Sequence, residues 1–122
     1  MKGKAFLIHW SASEAEEHSK RLRAYGWDLD IESRDGARAF AFIKGARPDV
    51  VVIYLTRLPS YGCATAHALR SLKATRDLPI VFVGGSEESV EKVRSKVPDG
   101  IFIEPEELDA AMAGFLKIAV GC

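Results

Sequence analysis

Long tracts of this sequence carry no carboxylate. No Asp or Glu occurs from Met1 to Ser13 or from Val50 to Arg76, and no Lys from Val97 to Leu116. A hard cation such as Mg²⁺ wants oxygen ligands, so those tracts offer it no acidic side chain. Net charge is lacking too. Lys+Arg and Asp+Glu are both 17, which removes the electrostatic case for nucleic acid or an anionic membrane as partner. Cysteine is scarce. Cys63 and Cys122 form no Cys-x-x-Cys pair, and with no secretory signal the expected setting is a reducing cytoplasm. Cys122 is read as no more than a source of intermolecular disulfide in vitro. The apolar run Ala5–Ile8 behind Lys2 and Lys4 is far too short for a signal sequence or a span. No linker, internal repeat or low-complexity tract is visible.

What is present is a core. Apolar residues make up 48% of 122 residues, enough to exclude disorder and to fit one domain, 1–122. The run from Val50 to Leu55, bounded by Pro48-Asp49 and by a polar loop with Pro59 and Gly62, predicts a strand buried on both faces. Such strands lie at the centre of parallel sheets, where the loop after the carboxyl end is the usual place for ligands and chemistry.

Around it strand and helix alternate five times. Lys4–Trp10 predicts the first strand, and Ser13 with Glu16 a capping box opening a helix. Its inner face is expected to hold Ala15, Leu22 and Tyr25, with His18 or Ser19 at the margin and Gly26 as the stop. Asp28–Ser33 alternates like an edge strand. Asp35 caps a second helix with Ala39, Phe40 and Ile43 inward, ended by Gly45 and Pro48. A third helix is expected from Cys63 to Leu72, a buried strand over Leu78–Val83, and a fourth helix capped by Ser86 with Glu87 and Glu88 at its start. Ile101–Ile103 is the last strand. Glu104-Pro105 opens a final helix with Leu108, Ala111, Met112, Phe115 and Ala119 in one stripe. This alternation implies βαβ units and a parallel sheet with right-handed crossovers.

Three segments carry a resemblance. Arg47-Pro48-Asp49 with Val50–Ile53 and the Pro59–Gly62 loop, then Leu78–Val83, then Ile101–Pro105, are similar in order and separation to the receiver domain of two-component response regulators. The resemblance implies a three-layer, doubly wound (βα)5 fold, flavodoxin- or CheY-like, with a five-stranded parallel sheet of order 2-1-3-4-5. Receivers transfer a phosphoryl group to an aspartate. The developing charge is neutralised by a metal on an acidic pair, by a Ser or Thr, and by a Lys. At the matching positions this chain has His9 and Trp10 for the acidic pair, Tyr54 for the acceptor, Gly84 for the hydroxyl and Glu104 for the lysine. The implied protein is a pseudo-receiver. It has no catalytic residue, metal or cofactor, and no carboxylate in the pocket unless Glu104 turns inward.

Each notable residue has a plainer reading beside the functional one. Tyr54 is read as filling the space of a hydrated metal rather than as a moving switch, and His9 as a hydrogen-bonded structural histidine rather than a pH sensor. Trp10 either caps the pocket or anchors a partner. His9, His18 and His67 have no metal-binding spacing. Cys63 and His9 lack the orienting third group of a nucleophile–base pair. Ser11, Ser13 and the Gly84-Gly85-Ser86 turn are read as ordinary caps rather than an anion site.

The resulting expectation is a phosphorylation-independent signalling module in a two-component-type pathway, acting through a protein partner. The expected contact face is Val90–Lys96 with the last strand and Leu108–Ile118, and a homodimer is open. The alternative is a small-ligand sensor. In it Trp10, Tyr54 and Tyr61 stack on a flat ligand, with Ser11, Thr56, Pro59, Gly85 and Pro105 around the same pocket. A phosphorelay through a non-Asp group such as His9 or Thr56 is a minor third reading.

Overall fold

A strand of five β-favouring residues with no polar side chain to spare has to sit between two apolar layers, and Val50–Tyr54 does so. In the computed structural model, which describes residues 3–57 and 59–121 (the backbone alone for 116–121), this strand, β3, is buried at every position. Its parallel neighbours are β1 (Lys4–Ile8) and β4 (Ile80–Val83); β2 (Asp28–Glu32) and β5 (Ile101–Ile103) form the edges. The order is β2-β1-β3-β4-β5, all parallel, as expected. The helices are α1 (Ala12–Ala24), α2 (Gly36–Ala46), α3 (Pro59–Ser71), α4 (Glu87–Lys96) and α5 (Leu108–Gly121), the last entered through a 3-10 turn at Pro105–Glu107. Among the described residues no helix is long and apolar enough to cross a membrane.

The pleat divides the core. Val50, Val52 and Tyr54 face Ala15 and Leu22 of α1 and Leu108 and Met112 of α5. Val51, Ile53 and Leu55 face Ala39 and Ile43 of α2, Ala66 and Leu69 of α3, and Val93 of α4. Full burial of each large aliphatic side chain contributes about 1.5–3 kcal/mol, which is why the unbroken apolar run takes the centre. At the β2 edge Leu29 and Ile31 turn to the α1–α5 core, while Asp28, Asp30 and Glu32 alternate with them.

Several boundaries differ from the sequence reading, each for a local reason. β1 stops at Ile8, so α1 starts earlier. Ser11 is its N-cap, with extended backbone, and Ser13 and Glu16 lie inside the helix. Tyr25 follows the end of α1 and is 58% exposed; the buried aromatic is Trp27, packed on Gly3. Gly45 stays within α2, whose end is made by Arg47 in a left-handed conformation (φ 51°), its N–H donating to the Ile43 carbonyl. α3 begins at Pro59, four residues before Cys63, since proline's fixed φ suits a first helical position. Gly62 therefore sits inside α3, where the Ile53 side chain would meet a Cβ at 2.8 Å. Leu78 and Pro79 precede β4. The Asp35 and Ser86 caps are as expected: Asp35 Oδ1 accepts from the Ala37 and Arg38 amides, and Ser86 Oγ from the Ser89 amide. Ala119, Cys122 and the Leu116–Ile118 end of the expected contact face lie outside the described side chains.

Candidate functional site

The carboxyl ends of β1 and β3 bring three aromatic rings together. His9 directly follows β1 and is held beside β2 by its amide, which donates to the Glu32 carbonyl at 3.2 Å. Its side chain is 1% exposed. Tyr54, the last residue of β3, is 2% exposed and lies near-parallel to His9 at 4.6 Å between ring centroids. His18, one helical turn beyond Glu14 on α1, lies near-parallel to Tyr54 at 4.5 Å and 5.5 Å from His9. Burial pushes the Tyr54 phenol up to about 12, Arg21 opposing the shift and Asp109 adding to it. The phenol is therefore un-ionised in any ordinary buffer.

His9 holds a defined tautomer. Its Nδ1 accepts from the Ser11 amide at 3.2 Å, leaving the proton on Nε2, which lies 3.8 Å from Glu14 Oε2. The same Glu14 oxygen accepts from Arg57 Nε at 2.9 Å. A carboxylate thus reaches the strand ends from α1, correcting the expectation that only Glu104 had that chance. Glu104 itself is exposed, and its amide donates to Glu107 Oε1 at the start of the 3-10 turn. The hydrogen bond from Arg57, aided by Ser11 and the Arg57 charge, holds Glu14 below the usual carboxylate range against its partial desolvation.

Burial lowers the His9 pKa below 6.5; Glu14 works against this, and His18 and Arg57 add to it. The unfolded chain then binds more protons than the folded one just below pH 6.5. The stability this group contributes is complete above that pH and is lost as pH falls through the folded-state pKa. The urea midpoint is expected to fall between pH 7.5 and 5.5, and His9→Asn to flatten that part of the profile. An unchanged slope in His9→Asn assigns the loss to other groups.

The remaining expected residues are spread around this cluster. The Trp10 ring reaches from Gly36 of α2 to Gly62 of α3 and meets Tyr61 edge-on, at 5.7 Å and 88°. Its Nε1 is buried and has no hydrogen-bond partner among the described residues. Gly84 and Gly85 both have positive φ, and a Cβ on either would come within 2.8 Å of Thr56 and Leu55 respectively, so glycine is required there. Pro105 packs beside Gly84. Pro59 lines a groove of about 370 Å³ between α3 and α4, and Tyr61 one of about 450 Å³ between α2 and α3. Cys63 packs against the α2–α4 core, whereas the His9 ring lies on Tyr54 in the α1–α5 core, so the sheet separates that pair. Among the described residues no three His, Cys, Asp or Glu side chains are grouped to hold a metal ion.

Glu14, His18 and Arg57 are the parts that the sequence reading missed. The Ser11-x-x-Glu14 spacing was the available signal: it is a helix-start pattern two residues before the one chosen. Arg57 is the single charged residue between β3 and α3.

Comparison with solved structures gives the fold a setting. The chain is similar to the chemotaxis response regulator CheY4 of Vibrio cholerae, with TM-score 0.76 and 21% identity over 95% of this chain and 100% of that one. It is similar to a CheY-like response-regulator receiver domain from Methylobacillus flagellatus, with TM-score 0.77 and 20% identity over 94% and 99%. A third likeness is to the receiver domain of a sensor histidine kinase from Pseudomonas aeruginosa, solved with magnesium in its active-site cleft. There the TM-score is 0.74 and the identity 17%, with both chains fully covered. These likenesses establish a CheY-like fold. No protein-family model and no curated protein sequence matches the chain.

Proposed function

We propose that this chain is a receiver-like signalling domain of a two-component-type pathway, working in the cytoplasm through protein contacts and taking no phosphoryl group. The observation that carries the reading is Tyr54. It ends β3, is closed in by His9 and His18, and keeps its proton. A phenol cannot form the acyl phosphate that an aspartate forms.

The surrounding donor set agrees. The Pseudomonas aeruginosa receiver domain coordinates magnesium in its cleft, and such an ion needs several oxygen ligands. At the equivalent strand ends this chain presents imidazole, indole and phenol, and the nearby Glu14 carboxylate is committed to Arg57. The residues do not fit a magnesium ion, and no catalytic activity is assigned to the domain. For the partner, the reading keeps the face built by α4, β5 and α5. Ile101 is 38% exposed there and lines a cleft of about 280 Å³ with Ala111, Gly114 and Phe115, while Phe102 is clamped between the Phe82 ring and the Arg94 guanidinium.

The test is incubation of the intact chain with Mg²⁺ and acetyl phosphate, followed by intact mass under denaturing conditions. The expected mass is that of the unmodified chain. A gain of about 80 Da would overturn the proposal. Mass under non-denaturing conditions checks the small-ligand alternative on the same sample, since a retained ligand adds mass that denaturation removes.

A further inference from the structure

We propose that the mouth of the sheet carries a proton-operated latch, in which the Glu14 carboxylate passes from Arg57 to His9 when the His9 ring takes up a proton. The juxtaposition behind it is one oxygen facing two bases: Glu14 Oε2 is 2.9 Å from Arg57 Nε and 3.8 Å from His9 Nε2. The inference deepens the reading above by giving the same mouth a regulator other than phosphate. It is tested on the chain alone, so its failure is separable from a failure of the phosphodonor or partner experiments.

The closed state follows from hydrogen-bond chemistry. His9 Nδ1 accepts the Ser11 amide at the N-cap of α1, and only a neutral imidazole has a lone pair to offer. A proton arriving from solvent must go to Nδ1, because Nε2 already carries one. The new Nδ1–H then points at the Ser11 N–H, and the cation faces the positive end of the α1 dipole. That contact breaks. The charged ring is drawn instead towards Glu14, which must close from 3.8 Å by about 0.6–1 Å to come within bonding distance of Nε2. The imidazolium also repels the Arg57 guanidinium. Arg57 leaves, and with it moves the turn whose Thr56 methyl abuts Gly84.

The charges around His9 set the direction. α1 contributes Glu14 and His18, and the turn after β3 contributes Arg57. β3 contributes the neutral Tyr54, behind which Arg21 of α1 and Asp109 of α5 are bonded to each other at 3.0 Å. Next to His9, β2 brings Glu32, whose carboxylate is occupied by the Arg34 and Asp35 amides and lies 3.6 Å from the Arg38 guanidinium. One partly exposed anion therefore serves two basic side chains, the buried His9 ring and the exposed Arg57. Burial favours the neutral ring, so the latch is closed at neutral pH and opens on acidification.

The experiment is nitrogen-15 NMR on the full chain from pH 8 to pH 5, following the His9 ring nitrogens, the Ser11 amide and the Arg57 Nε–H. The expected result is one shared midpoint below pH 6.5, with Nδ1 passing from acceptor to protonated nitrogen. His9→Asn keeps an acceptor oxygen for the Ser11 amide and is expected to abolish the inflection at Ser11 and Arg57. His18→Gln is expected to keep it. Glu14→Gln is expected to uncouple Arg57 from His9. Three results overturn the latch: Ser11 and Arg57 still titrating in His9→Asn, Arg57 unmoved while wild-type His9 titrates, or His9 staying neutral until the chain unfolds.

Discussion

Placing an aspartate at the end of β3 is expected to damage the protein without making it a phosphoacceptor. Tyr54→Asp removes a ring that lies on His9 and His18 and packs into the α1–α5 core. Truncating a buried aromatic costs roughly 3–5 kcal/mol. The incoming carboxylate adds its own desolvation, with Asp109 already negative nearby and Arg21 bonded to it. Against a total stability of about 5–15 kcal/mol, the variant is expected to lose about a fifth or more of its stability, read as a lower urea midpoint. It should still gain no phosphate from acetyl phosphate and Mg²⁺, because the residues expected to hold the ion remain His9 and Trp10. Tyr54→Phe keeps the ring and is expected to stay within about 1.5 kcal/mol of the parent. The measurements are urea midpoints for both variants and the mass of Tyr54→Asp after phosphodonor. A stable, phosphorylated Tyr54→Asp would show the ring to be a removable plug in a working site.

The second large effect belongs to the other side of the sheet. Phe82 of β4 is fully buried and stacks on Phe102 of β5 at 4.9 Å, with the Arg94 guanidinium 4.7 Å from the far ring's centroid. Gly100, just before β5, lies so close that an added Cβ would sit 2.5 Å from Phe82 Cε2. Phe82→Ala is expected to cost about 3–5 kcal/mol, and Gly100→Ala alone about 1–3 kcal/mol through overpacking. Together they should cost less than their sum by about 0.5–3 kcal/mol, because the new methyl enters the space the ring has left. Urea melts of the two single variants and the double variant measure that difference. Strict additivity would mean that the close approach of Gly100 to Phe82 is absent in solution.

Much of this architecture was legible beforehand because it rests on short-range regularities. The unbroken run Val50–Leu55 can satisfy its burial only at a sheet centre, and Leu29 with Ile31 among acidic residues marks an edge. The positions of Tyr54, Gly84 and Glu104 were likewise a matter of counting along the chain. What surrounds Tyr54 was not countable. Placing the N-cap of α1 at Ser13 hid the role of Ser11 and made Glu14 only the first residue of the helix, with nothing to direct it to the strand ends. His18 meets Tyr54 only once α1 is laid across the sheet. Arg57 carries no weight in a reading that looks for carboxylates between Val50 and Arg76.

The row of acids on β2 bears on how copies of this protein can meet. An exposed sheet edge invites another chain to continue it, and natural proteins discourage this with charge or with short strands. Asp28, Asp30 and Glu32 put like charges along one edge, and β5 offers only three residues on the other. A second copy docking strand to strand would set acid against acid, or find too few amides to bond. Contacts between intact copies are therefore left to helices and side-chain surfaces. Sheet-extending aggregation is expected only where β2 or β5 has first come away from the fold.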